Sequence, residues 1–236
     1  MIHENLARIR EKIASSCARV GKSPQEITIV AVSKGRSLSQ IQEALDDGIS
    51  DIGENKVREA LCKYNAMRRS TRYARQIRWH MVGHLQTNKA KEAVRIFDLI
   101  QSVDSQRIAK EIDTQADRIG KVQDVLIEIK MSPEPTRSGI IPDEAPEMIG
   151  EMSALKNINI IGLMTIAPIV DNPEKTRLYF RMLRQLKDKI NAQHITHKAI
   201  RVLSMGMTDD FGIALEEGST MVRLGRAIFG NTDKHG

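Results

Sequence analysis

Lys34 ends an apolar run, Ile27-Thr28-Ile29-Val30-Ala31-Val32-Ser33-Lys34. A run this rich in β-branched residues, bounded by polar ones, reads as a buried strand. A lysine leaving the carboxyl end of such a strand enters the mouth of an α/β fold, where ligands bind. Desolvation disfavours the ammonium form, and the neutral amine is the nucleophile that condenses with a carbonyl to a Schiff base. A lysine after a strand is by itself an ordinary loop residue, so the reading depends on the other strand ends.

Those ends carry chemistry of their own. Gly53-Glu54-Asn55 offers a glycine for close backbone approach and an amide for a ligand oxygen. His80 and Gly83-His84-Leu85-Gln86 lie at a third end, and Gly162-Leu163-Met164-Thr165 at a sixth. The seventh carries Leu203-Ser204-Met205-Gly206-Met207-Thr208 and the eighth Arg223-Leu224-Gly225-Arg226. The last two read as a phosphate site. Small residues let backbone N–H groups approach an anion, Ser204 adds a hydroxyl, and Gly225-Arg226 opens a terminal helical turn. If the eighth strand closes on the first, the lysine and the cradle are neighbours. An aldehyde that bears a phosphate fits that pair: pyridoxal 5′-phosphate.

The elements that must hold these residues alternate strictly. Strands are expected at Ile27–Ser33, Asp51–Gly53, Ile77–Gly83, Leu99–Val103, Asp124–Met131, Asn157–Ile166, Ala199–Met205 and Thr220–Leu224. Helical patterns fall between them at Ser39–Asp47, Asn55–Arg68, Thr87–Phe97, Ser105–Ile119, Pro142–Ser153, Glu174–Asn191 and Asp209–Glu217. An extra helix opens the chain over Ile2–Val20, its stripe Leu6, Ile9, Ile13 and Val20, with Gly21 as C-cap. In Glu174–Asn191 the shared face is Leu178, Met182, Leu183, Leu186 and Ile190. Eight βα units predict a single α/β domain over residues 1–236, a closed (β/α)8 TIM barrel with an extra N-terminal helix. An open doubly wound sheet is the alternative.

Composition agrees with a barrel of this length. Apolar residues make up 41% and aromatics only 3%, so the core must rest on Ile, Val, Leu, Met and Ala. The net charge of +6 favours acidic partners in general without choosing among them. Cys17 and Cys62 sit in helical segments and make no disulfide framework. The first 20 residues lack the apolar core of a signal peptide, and no apolar stretch approaches a membrane span. A cytoplasmic protein is expected.

The segments VAVSK, IGENKVREAL, WHMVGHLQTNKAK, GLMTIAP and LSMGMTDDFGIALEEGSTMVRLGRAIFG resemble the pyridoxal phosphate-binding homeostasis proteins. These are the single-domain relatives of the alanine racemase N-terminal barrel, and the resemblance runs from about Val30 to Gly230. It implies that Lys34 forms the internal aldimine, that Asn55 lies near the ring substituents and that Met164 packs in the ring pocket. It places Ser204, Met205, Gly206, Gly225 and Arg226 around the phosphate and Arg223 against the pyridine nitrogen. A cation there disfavours ring protonation, and an unprotonated ring is a poorer electron sink. Two departures stand out: Gly35-Arg36 replaces a threonine-led segment, and Lys130–Gly139 is richer in proline.

The implied role is intracellular pyridoxal phosphate (vitamin B6) homeostasis: holding the cofactor and delivering it to apoenzymes without robust turnover, as a monomer or weak dimer. No catalytic residue, metal, nucleic acid or membrane is called for. The enzyme alternative, a racemase or lyase on the same lysine, needs a second acid/base such as a tyrosine. Only Tyr64, Tyr73 and Tyr179 are present, all in helices or connectors. A Schiff-base aldolase and a nucleic-acid-binding module are further alternatives, the latter on charge alone. The five arginines of Arg68–Arg78 read as a solvated connector, and His80 and His84 as a strand-end pair rather than a zinc site. His194 and His197 are expected in solvent. Thr208 or Asp209 is expected to cap the helix that follows.

Overall fold

The computed structural model describes residues 1–70, 72–73, 76–131 and 138–231. The chain opens with α1 (Ile2–Arg19) and β1 (Thr28–Val32). Alternation follows without exception: α2 (Leu38–Asp46), β2 (Asp51–Glu54), α3 (Val57–Arg68), β3 (Arg78–Met81), α4 (Ala90–Ile96), β4 (Leu99–Val103) and α5 (Gln106–Asp117). The second half runs β5 (Gln123–Glu128), α6 (Ala145–Ser153), β6 (Ile158–Met164), α7 (Arg177–Ala192), β7 (Val202–Ser204), α8 (Phe211–Glu216), β8 (Met221–Leu224) and α9 (Arg226–Phe229). The strands close in the order β1-β2-β3-β4-β5-β6-β7-β8, and β8 pairs in parallel with β1 through Thr28↔Met221 to Ala31↔Leu224. This is the expected (β/α)8 barrel, not the open sheet. Every expected strand is present, most trimmed by a residue or more at their ends, where frayed pairing ends a strand.

The extra helix clasps the closure. α1 packs on α2, α8 and α9, Asn5 Nδ2 donates to Ile228 O at 2.8 Å, and Lys12 Nζ lies 4.5 Å over the Phe211 ring. Its buried stripe is Ile2, Leu6, Ile9, Ile13 and Cys17. Val20, expected in that stripe, is exposed: it is the C-cap residue, where the chain leaves helical geometry and its side chain leaves the shared face. α7 corrects the sequence more strongly. Its inner face is Phe180, Leu183, Leu186 and Ile190, whereas Leu178 and Met182 point to solvent. Phe180 sets the inner edge of the stripe, rotated from the face that Leu178 and Met182 would define.

Two apolar layers result. The larger fills the space between strands and helices, with Phe97, Phe180 and Leu6 fully buried. The smaller lies inside the barrel: Val30, Val82, Leu99, Leu126, Met164 and Met221. Each fully buried aliphatic side chain contributes about 1.5–3 kcal/mol. The barrel interior also holds Asp51, His80, Gln101, Ser204 and Arg223, all buried. No helix among the described residues is long and apolar enough to cross a membrane.

Candidate functional site

At the carboxyl ends of β1, β2 and β8, a cleft of about 200 Å³ is lined by Lys34, Asn55, Arg223, Gly225 and Arg226, with Val32, Val82, Ile166 and Thr208 among its walls. Residues separated by up to 192 positions in sequence thus share one opening, because β8 returns beside β1. Gly83 makes room for one of them. A Cβ there would stand 2.5 Å from Asn55 O, so glycine alone lets the β3 end pass the Asn55 backbone. A larger cavity of about 620 Å³ lies at the opposite end of β5 and β6, between Asp124, Lys156, Asn159 and His197. It contains none of the expected site residues.

Lys34 itself is exposed to the cleft, and its neighbours are held rigidly. Ser33 N donates to Gly53 O at 2.9 Å. Lys63 Nζ donates to Ser33 O at 2.6 Å and to Glu54 Oε1 and Glu59 Oε1 at 2.7 Å each. The Ser33 hydroxyl also donates to Glu54, and Gly35 N donates to Glu59 Oε1 at 2.7 Å. One buried lysine and two carboxylates therefore grip both residues that flank Lys34. Burial raises the Glu54 carboxyl above the usual range, with the Lys63 and Ser33 bonds opposing it. Glu59 also feels burial, but Lys63 and the Gly35 N–H together hold it below that range. Arg36, at the first departure from the family pattern, donates to the carbonyls of Phe229 and Gly230 and stacks 5.7 Å from the Phe229 ring. It fastens the loop after Lys34 to the end of α9, where free carbonyls favour a cation.

On the other side of the cleft, Arg223 is 4% exposed. Its Nη1 donates to Ser204 O and Ser204 Oγ at 2.7 Å, and its Nη2 to Thr165 O at 2.7 Å. Burial pulls its pKa down to about 10, offset in part by Glu128 and Asp210, so it remains a cation at neutral pH. Behind this wall Gly206 takes φ +93, and a Cβ there would stand 2.6 Å from Ala214 Cβ. Arg226 is exposed and pairs with Asp209 at 2.6 Å.

The remaining expected site residues lie deeper. Met164 belongs to the apolar layer inside the barrel. Ser204 spends its hydroxyl on Gln101 Oε1 at 2.6 Å and accepts from Arg223. Met205 and Gly206 are buried behind the cleft wall. Sequence reasoning missed Glu59, Lys63, Asp51 and Gln101. Only the Glu54 in GEN stood at a strand end; the others read as surface charge or as strand interior.

Several secondary expectations also meet the structure here. Neither Thr208 nor Asp209 caps α8. Asp210 occupies the N-cap position and turns its Oδ1 back to the Met207 N–H at 2.6 Å, while Thr208 Oγ1 accepts from Ala227 N. The two functions of the loop, tying α8 to α9 and bracing the cleft, take these side chains away from the cap. His80 Nε2 meets Asp51 and His84 Nδ1 meets Asp104, both at 2.9 Å, and no group of metal-binding side chains forms among the described residues. His194 and His197 are exposed, and Cys17 and Cys62 are free thiols. Arg68 stacks on Tyr64, and Arg72 pairs with Asp46. Arg75 and most of the 130–139 loop lie outside the described residues.

A barrel with these strand ends is of the alanine racemase N-terminal domain class, and the model of that domain family matches residues 3–233. The chain belongs to the pyridoxal phosphate homeostasis protein family within it. It is 39% identical over 227 residues to the pyridoxal phosphate homeostasis protein of Aquifex aeolicus, covering 96% of both chains. It is 36% identical over 233 residues to that of Escherichia coli K12, covering 98% of this chain and 97% of that one. PipY of Synechococcus elongatus, solved with PLP bound, superposes with a TM-score of 0.85 at 32% identity, covering 98% of this chain and 100% of that one. An alanine racemase of Clostridium difficile superposes with a TM-score of 0.75 at 16% identity over 57% of its length, a likeness of fold.

Proposed function

We propose that the chain binds pyridoxal 5′-phosphate in the Lys34–Arg223 cleft and serves to hold and release it inside the cell, without robust turnover. The observation that carries this reading is the convergence of Lys34, Asn55, Arg223, Gly225 and Arg226 on one opening. The donor set fits the group: a primary amine on a fixed backbone, a buried guanidinium, and a glycine-bearing turn with a further cation for a phosphate. When bound, the cofactor supplies an aldehyde for condensation with an amine. Lys34 would be that amine. Asn55 and the Gly225-Arg226 turn would orient the ligand, and Arg223 would keep a positive charge facing its ring.

Holding rather than turning over is supported by what surrounds the cleft. Among the described residues, none of Tyr64, Tyr73 and Tyr179 lines it. The acid that does, Asp209, is paired with Arg226. Lacking one general acid/base costs about 10²–10⁴-fold in rate. The names of the relatives and the PLP-bound neighbour support the same role. In this reading the chain, as a monomer or weak dimer, delivers the cofactor to apoenzymes by exchange with an incoming amine.

The test is the absorption spectrum of the purified protein supplied with pyridoxal phosphate, before and after borohydride, with peptide mapping. The expected outcome is a visible band reduced onto Lys34 and absent in Lys34→Ala. Equal trapping in Lys34→Ala would sink the reading. Rapid Lys34-dependent turnover of an amino acid would replace holding with catalysis.

A further inference from the structure

Arg223 is one end of a chain of hydrogen bonds that crosses the barrel interior. Its Nη1 donates to Ser204 Oγ at 2.7 Å. Ser204 Oγ donates to Gln101 Oε1 at 2.6 Å. Gln101 Nε2 meets His80 Nδ1 at 2.9 Å, and His80 Nε2 meets Asp51 Oδ1 at 2.9 Å. The five residues come from β8, β7, β4, β3 and β2, and all are buried.

The inventory of donors and acceptors fixes the direction of every link. A guanidinium only donates, so Ser204 accepts from it and turns its own proton to Gln101. The amide oxygen of Gln101 takes that proton, which leaves its NH₂ facing His80. An NH₂ only donates, so His80 Nδ1 must be the bare nitrogen. The imidazole proton therefore sits on Nε2 and is given to the carboxylate of Asp51. A flipped Gln101 would turn its NH₂ to Ser204 Oγ, which already accepts from Arg223, and would leave the serine proton without its acceptor. It would also demand a proton on His80 Nδ1, which the ring could carry only as the Nδ1–H tautomer or as an imidazolium.

We propose that Asp51, His80, Gln101 and Ser204 are positioning residues: through this one-way chain, the carboxylate near the opposite end of the barrel fixes the orientation of Arg223 in the ligand cleft. Buried dipoles aligned head to tail reinforce one another, and Asp51 gives this chain a negative end, in addition to the carboxylates of Glu128 and Asp210 whose charge also reaches Arg223. The apolar layer around them supplies the low-dielectric surroundings in which such alignment matters. The inference concerns the cleft's ligand and so rests on the function proposed above, while the chain itself is tested without any ligand.

The experiment has two arms. In the first, ¹⁵N-histidine spectra of the ligand-free protein report which ring nitrogen of His80 carries the proton. The chain requires Nε2–H in the wild type and a redistributed ring signal in Gln101→Leu. A proton on Nδ1 in the wild type would overturn the proposal. In the second, pyridoxal phosphate is titrated into wild type, Asp51→Leu, Asp51→Asn, Gln101→Leu and a control, Val125→Ala, which removes core volume in the outer layer. Asp51→Leu and Gln101→Leu should weaken binding about tenfold, the worth of one oriented hydrogen bond, and shift the absorption maximum. Asp51→Asn, which keeps an acceptor for His80, should restore both. Band positions and affinities equal to those of Val125→Ala would overturn the proposal. A wild type without a band would sink the proposed function instead, and the imidazole signals would then judge the chain alone.

Discussion

Beneath Lys34, a lysine and two carboxylates meet at 2.7 Å. Beneath Arg223, a cation and a carboxylate are kept apart by three intervening side chains, Ser204, Gln101 and His80. Both clusters are buried and both flank the same cleft, yet their electrostatics differ. In the first, Glu54 Oε2 has no hydrogen-bond partner, and burial raises its pKa. In the second, Asp51 also feels burial, but the bonds from His80 and Ser50 together hold it below the usual range. Direct contact concentrates charge and leaves one oxygen unsatisfied. A chain of hydrogen-bonded side chains spreads the same separation of charge over bonds that are each satisfied.

The sharpest way to break this comparison is to remove the cation from the compact cluster. Lys63→Met strands a carboxylate that is fully buried, and should cost about 3–5 kcal/mol in urea unfolding. Combining it with Glu54→Leu should recover most of that loss, because paired removal leaves no lone buried charge. Gln101→Leu, at the middle of the other cluster, should cost less, about 1–3 kcal/mol, since it leaves neutral groups unpaired.

The most buried carboxylate of each cluster should also titrate with opposite sign. The depressed pKa of Asp51 adds stability above its unfolded value, and that stability is lost as pH falls through the folded one. Glu54 has a raised folded pKa, so its contribution is present below the unfolded value near 4.5 and lost as pH rises through the folded one. Urea midpoints against pH should therefore show Asp51→Asn flattening the acid limb and Glu54→Gln gaining on wild type above pH 4.5. The same slope in both variants would erase the distinction. The smallest effect belongs outside both clusters: Arg72→Ala breaks an exposed pair with Asp46 and should cost less than about 1 kcal/mol, leaving trapping at Lys34 unchanged.

The barrel was legible because its signal is redundant. Eight apolar runs separated by helical stripes admit few topologies, and the strand ends carry Lys34, Asn55, Arg223 and Gly225 to one place once the sheet closes. The inner polar chain was not legible. Asp51, His80 and Gln101 sit inside short strands, where a polar residue reads as a solvent-facing position, and His80 and His84 looked like a pair although they point to different carboxylates. Glu59 and Lys63 are spaced like any exposed helix pair. Only the packing of α3 on β2, beside the loop that follows β1, turns them inward. In α7 the error came from rotation of the stripe: Leu178 and Met182 are as apolar as the residues that are buried, and periodicity alone does not choose between adjoining faces.

The clasp formed by α1 has a consequence for how the molecule comes into being. Its partners α8 and α9 lie about two hundred residues further on, and the bond between Asn5 and Ile228 spans 223 positions. At a synthesis rate of about 5–20 residues per second, α1 meets α2 early but waits on the order of ten to forty seconds for the α8 and α9 part of its docking surface. The first helix made is among the last to find its place, and ring closure of such separation slows folding. Shortening that interval, by a permuted chain in which α1 follows α9, should speed refolding while leaving the finished barrel the same.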